Sequence, residues 1–249
     1  MCAGLLSCSL GACRWIAVRR AGKVARHVPY QQFNHAVVYL PKQSGLEARF
    51  LDATAENLGL NSLRGDVQGT LALVLSGASH RFVEVPYQPP RRNNSVALLK
   101  LKLDAKGDAV GVLDWHLEGQ RAGALRKPLQ NAEMLRQLGQ TVVHRIYTGG
   151  RLLDAKAQNQ RDVRRPLRVK LAARFSNVAE KEDEGLRLRL PRLLSIANWV
   201  TWTTRRHPLF FGPPQQTSME VLFTLPAGFR PHVVPEDVKI EASCLRAKG

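Results

Sequence analysis

The sequence predicts an α+β fold that is mainly β. Residues 95–103 alternate with a period of two, and residues 109–118 return as their partner strand across a five-residue turn. From residue 33 onward, short β-rich runs recur between turn-forming residues. Helical patterning is confined to the first dozen residues and to residues 131–138.

The chain begins with an apolar run, Leu5, Leu6 and Leu10 among small residues, bearing Cys2, Cys8 and Cys13. A secretory signal would carry basic residues before such a run, but here Arg14, Arg19 and Arg20 follow it. The spacing reads instead as the end of a helix, with residues 15–18 as a strand directly after it. Residues 33–40 and 48–52 then form a predicted hairpin across the turn at Gln43-Ser44-Gly45, and residues 71–75 and 81–85 two further strands. The polar, proline-bearing run 88–94 is the strongest candidate boundary, dividing residues 1–88 from residues 93–249.

Beyond that run, strands are predicted at 95–103 and 109–118, with Asp104-Ala-Lys-Gly-Asp108 as their turn. The helix at 131–138 has Asn131 as its N-cap and Gly139 as its stop. Strands follow at 167–175, 185–190, 219–225 and 238–242. This spacing predicts an antiparallel β-sandwich-like domain at 93–249.

Composition narrows the function classes. With 44% hydrophobic and 23% charged residues, the chain can build a core and is not a disordered polymer. No run approaches the ~18 consecutive apolar residues of a transmembrane helix. Four cysteines, Cys244 being the last, are too few for a disulfide scaffold. None of the seven histidines forms an HxH or HxxxH pair and no CxxC occurs, so neither a metal nor another cofactor is expected.

The net charge is +17, from 37 basic and 20 acidic residues, and +9 of it falls in residues 121–180. Its densest part, Arg161 to Lys170, holds no aromatic residue and no nucleic-acid-binding motif accompanies it. That counts against nucleic acid and favours a solvated strand edge. Trp115 and His116 read as core and surface, and Ile196, Trp199, Val200 and Trp202 as packing. Arg205, Arg206 and His207 read as the exposed end of a strand.

One pair of residues stands apart. His35 sits mid-run in an apolar strand, and Asp52 occupies the same setting seventeen residues later on the next strand. Opposed side chains of adjacent antiparallel strands are ~5 Å apart, within reach of a histidine–carboxylate hydrogen bond. Such a carboxylate fixes the imidazole tautomer and stabilises its protonated form. On spacing alone, a half-buried histidine beside a turn-forming or helix-capping aspartate accounts for the pattern better, since Asp52-Ala-Thr-Ala-Glu56 also has the form of a helix start.

The strings Phe33-Asn34-His35-Ala-Val-Val, Phe50-Leu51-Asp52-Ala53-Thr54-Ala55-Glu56-Asn57 and Gly65-Asp66-Val67-Gln68-Gly69 resemble the second half of a bacterial transglutaminase-like domain. That superfamily has the papain-like cysteine protease architecture. Thr203-Thr-Arg205-Arg206-His207-Pro208 and Leu225-Pro226-Ala-Gly228-Phe229 resemble the uncharacterised β-sandwich module that follows such domains. The resemblance implies thiol acyl transfer or peptidase chemistry on protein or peptide substrates, with His35 as general base and Asp52 as its orienter. It implies a periplasmic or envelope setting, or a cytoplasmic one for a chain made without a signal.

The family's nucleophile lies in a Gly-x-Cys-x-Asp segment at the start of the helix before the histidine strand, and no such segment occurs here. Cys2 is the nearest by position but lacks the flanking residues, while Cys8 and Cys13 fall within or after the helix. The expectation is a partial transglutaminase-like domain at 1–88, inactive in acyl transfer as this chain. The alternative is a non-catalytic, β-rich envelope module that binds peptide, glycan or polyanion.

Overall fold

A computed structural model describes residues 14–18, 24–27, 31–60, 62–76, 79–183, 185–191, 204, 206, 211–242 and 245–248. The predicted helix at the chain start lies outside them, as do all four cysteines, Ile196, Trp199, Val200, Trp202, Arg205 and His207. Arg206 is described and is exposed. Among the described residues the protein is mainly β with two α-helices. None of the helices among the described residues is long and apolar enough to cross a membrane.

Residues up to 88 build one five-stranded antiparallel sheet. Its strands are β1 (Arg14–Val18), β2 (His35–Leu40), β3 (Arg49–Leu51), β4 (Leu71–Ser76) and β5 (Ser79–Glu84), in the spatial order β3-β2-β1-β4-β5. Alternation decides what each strand buries. Val37 and Tyr39 on β2 are buried with Ile16, Val18, Ala72 and Val74, whereas Ala36 faces solvent. Tyr39 stands across from Phe50 with ring centroids 4.9 Å apart.

The stretch between β3 and β4 has no regular structure but is tied down by glutamines. Gln68 donates to the Leu63 carbonyl at 2.9 Å and accepts from the Gln88 N–H at 2.9 Å, and the Gln88 side chain accepts from the Leu63 N–H at 3.0 Å. Buried polar groups are thereby satisfied in a segment without ladder hydrogen bonds.

The second sheet contains β6 (Asn94–Leu103), β7 (Ala109–Leu117), β8 (Arg151–Gln158), β9 (Leu167–Phe175) and β12 (Gln216–Thr224), ordered β12-β6-β7-β9-β8. Leu99, Leu113 and Leu171 lie in one cross-strand row of the buried face. Over this face lies α2 (Ala132–Ile146), while β10 (Ala179–Glu182) and β11 (Gly185–Leu188) add Ala179, Leu186 and Leu188 to the same core. A second short helix, α1 (Gly119–Arg126), follows β7, and β13 (Lys239–Ala242) pairs with β14 (Leu245–Lys248) as a separate ribbon.

Besides β8, β10, β14 and α1, which were not expected, four features differ from the sequence expectation. The sheet is antiparallel except at one edge, where β12 runs parallel to β6. Gly139 does not stop α2, which continues seven residues further to Ile146. A Cβ at Gly139 would stand 3.0 Å from a Leu152 methyl and 3.1 Å from a Leu171 methyl, so the glycine lets the helix settle close on the sheet. The basic run 161–170 is not a strand edge, because it is a loop leading into β9, which is paired on both sides. Asp52 starts turns rather than a helix.

Candidate functional site

The site begins with the side-chain period of β2. His35 is two residues from Val37 and four from Tyr39, so it shares their face, at the end of the strand. Val38 pairs with Leu51 in the β2–β3 ladder. Continued by one residue, that register sets Asp52 across from Val37, one same-face step from His35. The two side chains therefore meet diagonally rather than directly opposed. Nε2 of His35 and Oδ2 of Asp52 are 2.9 Å apart. The His35 side chain is 10% exposed and that of Asp52 is 0% exposed, so water does not compete at the carboxylate.

The other Asp52 oxygen is also occupied. Oδ1 accepts from the Thr54 N–H at 3.0 Å and from the Thr54 hydroxyl at 2.6 Å, the turn chemistry of an aspartate two residues before a threonine. Burial pushes the carboxyl pKa up. The Thr54 hydroxyl, the His35 ring and the Thr54 N–H together outweigh it and hold the group below the ordinary carboxylate range. Asp52 is thus an anion at neutral pH. It is both the turn former and the histidine's partner, so the two readings of the pair are two halves of one residue's bonding.

A pocket of about 450 Å³ adjoins Asp52 through Thr54. It lies between the segment after β3 and helix α1, with Glu56, Asn57, Leu58, Arg64 and Gln120 in its walls. Arg64 grips Asp66 with two bonds, of 3.0 and 2.9 Å. That contact holds its guanidinium above the usual arginine value against the effect of burial, and the negative charge of Asp52 adds to it. The close fit across this boundary needs small residues: a Cβ on Gly65 would lie 2.4 Å from the Gln120 amide oxygen, and one on Gly123 would lie 2.5 Å from a Leu58 methyl.

His35 and Asp52 are thus brought together. Cys2, Cys8, Cys13 and Cys244 lie outside the described residues. No group of three His, Cys, Asp or Glu among the described residues could hold a metal ion. Trp115 packs on the sheet core and donates from its indole to Ser95 at 2.8 Å. His116 lies on the outer face, 3.1 Å from Asp114. Thr54, Arg64, Asp66 and Gln120 were not singled out by sequence reasoning. Thr54 had the Asp-x-Thr spacing as a local signal and Arg64 and Asp66 pair two residues apart, whereas Gln120 arrives through a tertiary contact.

Compared with known proteins, the chain matches no family model, and neither a curated protein nor a solved structure shows significant similarity to it.

Proposed function

We infer that the chain carries the histidine–aspartate half of a transglutaminase-like thiol acyl-transfer site for protein or peptide amides, and that these residues alone do not catalyse the reaction. The observation that supports the reading is the 2.9 Å contact between His35 Nε2 and a fully buried, ionised Asp52.

The chemistry follows from which nitrogen is engaged. Asp52 accepts from Nε2–H, so the neutral ring keeps its lone pair on Nδ1. Nδ1 takes the proton from a thiol, the thiolate attacks the amide carbonyl, and the amine departs with the proton that the imidazolium returns. A second amine or water then attacks the thioester and regenerates the thiol. Asp52 stays ionised throughout and stabilises the imidazolium.

By resemblance, the thiol belongs to a Gly-x-Cys-x-Asp segment that the 249 residues do not contain. The test is the coding DNA upstream of Met1, where the reading predicts such a segment, in frame or displaced by a frameshift. A chain extended to include it should release ammonia from a glutamine peptide, and His35→Gln should lower that rate by roughly 10²-fold or more. An upstream sequence with no cysteine segment, or an active extended chain indifferent to His35→Gln, would overturn the reading.

A further inference from the structure

The outer face of the second sheet uses none of the residues around His35. On β9, Leu167, Val169, Leu171, Ala173 and Phe175 are buried, so the intervening Arg168, Lys170, Ala172 and Arg174 face outward. The loop feeding the strand adds Arg164 and Arg165, and also Arg161, whose guanidinium leans toward the helices and donates to Gln130 at 3.3 Å; all three are exposed. Outward residues on a strand repeat every ~6.7 Å, so the cations from Arg165 to Arg174 extend over roughly 30 Å.

Six cations on this strip face three carboxylates: Asp154 on β8, across from Ala172, lies 3.2 Å from Lys156, and each of the other two is shared between cations. Asp114 on β7 takes both arms of Arg168 and lies 3.8 Å from Lys170. Asp162 accepts from the Arg164 backbone and guanidinium, at 3.0 and 3.3 Å, and lies 3.6 Å from the Arg165 guanidinium. The remaining charge is positive along the whole strip.

A second observation shows that the loop arginines are held in place from beneath. Arg126 on α1 is 3% exposed. Its guanidinium donates to the carbonyls of Asn159, Asp162 (2.9 Å) and Arg165 (2.6 Å). Asn159, at φ +64°, donates from its side chain to the Pro166 carbonyl at 2.9 Å. A buried guanidinium bonded to three carbonyls of one surface loop fixes that loop, and a ligand then loses less freedom in ordering it.

We propose that the strip from Arg161 to Arg174 is a docking surface for a linear acidic polysaccharide, recognised by its repeating carboxylate or sulfate groups. Anions repeated along a polymer match cations repeated along a strand, and their pairing releases counterions. Nucleic acid fits less well. Single-stranded binders stack bases on aromatic rings, and the outward residues of β6, β7, β8, β9 and β12 include no Phe, Tyr or Trp.

The test is fluorescence anisotropy of the full chain with a labelled heparin oligosaccharide and with an oligothymidylate of equal charge, across a salt series. Heparin should bind more tightly than oligothymidylate, and its affinity should fall steeply with salt. The triple variant Arg161→Ala, Arg164→Ala, Arg165→Ala removes only exposed side chains; it should weaken heparin binding at least tenfold and flatten the salt slope by about one for each arginine that pairs with an anion of the polymer. Arg126→Met should also weaken binding several-fold although its guanidinium is not at the surface. Arg145→Ala, one exposed charge on α2, should change it less than twofold. Unchanged heparin affinity in the triple variant, or equal affinity for the oligothymidylate, would overturn the proposal. Should Arg126→Met fail to fold, the triple variant decides.

Discussion

Thr54 donates both its backbone N–H and its hydroxyl to Oδ1 of Asp52, which leaves Oδ2 to the Nε2 of His35. A turn two residues long therefore sets the aim of the carboxylate, and the carboxylate sets the tautomer of the histidine. The folded Asp52 carboxyl titrates below its unfolded value of ~3.9, so its bonds stabilise the fold above that pH. The contribution is lost as pH falls through the folded pKa. Thr54→Val removes the 2.6 Å hydroxyl bond and keeps the N–H. Its Asp52 should titrate closer to the ordinary value when followed by carboxyl-carbon NMR. In denaturant melts the variant should be less stable than wild type at neutral pH, with the gap narrowing as pH falls through the folded pKa of Asp52. An unmoved titration would show that the hydroxyl does not hold the charge.

Gly119 joins β7 to α1 at φ +61°, and a Cβ there would lie 2.2 Å from the carbonyl oxygen of Arg92. Backbone strain and a collision with main chain act together, and neither can be relieved by turning a side chain. Gly119→Ala should cost more than ~1 kcal/mol in urea denaturation. Because Gln120 and Gly123 on α1 line the pocket, the variant should also alter the pocket's shape. Wild-type stability would contradict the observed backbone.

Gly139 tests the packing of α2. Its neighbours across the interface are methyl groups of Leu152 and Leu171, at 3.0 to 3.2 Å from a built Cβ. Gly139→Leu should force the helix away from the sheet and destabilise by ~1–3 kcal/mol, despite leucine's higher helix propensity. A stabilised variant would mean that α2 ends where the glycine first suggested.

Asn131 caps the same helix, accepting from the Glu133 and Met134 N–H groups at 2.9 and 3.1 Å. Asn131→Ala should lower stability by ~1 kcal/mol, and Asn131→Asp should preserve it. Denaturation midpoints of the two variants check this directly.

The parts legible in the sequence were those governed by local rules. β9 alternates because one face is buried and the other wet, the turn at 104–108 closes β6 on β7, and Asn131 announces its helix. β8 was missed because it is a charged edge strand whose alternation breaks at the bulge between Leu152 and Asp154. α1 was missed because Gly-Gln-Arg-Ala-Gly-Ala-Leu-Arg has no apolar stripe; of its glycines, Gly119 lies against the Arg92 carbonyl and Gly123 against Leu58. The parallel pairing of β12 joins residues more than 100 apart, which no local pattern encodes. Within the site, His35 and Asp52 were visible as polar residues inside apolar strands. Gln120 acquires its place beside Arg64 and Asp66 only when the two halves of the chain meet.

The central claim is that Asp52 holds His35 with its Nε2 protonated and its Nδ1 free to act as a base. Long-range proton–nitrogen NMR of the neutral imidazole reads this directly. The predicted spectrum shows Nε2 protonated and Nδ1 unprotonated in the wild type, with a mixture of tautomers in Asp52→Ala. A protonated Nδ1 in the wild type, or a His35 tautomer unchanged by Asp52→Ala, would contradict the account.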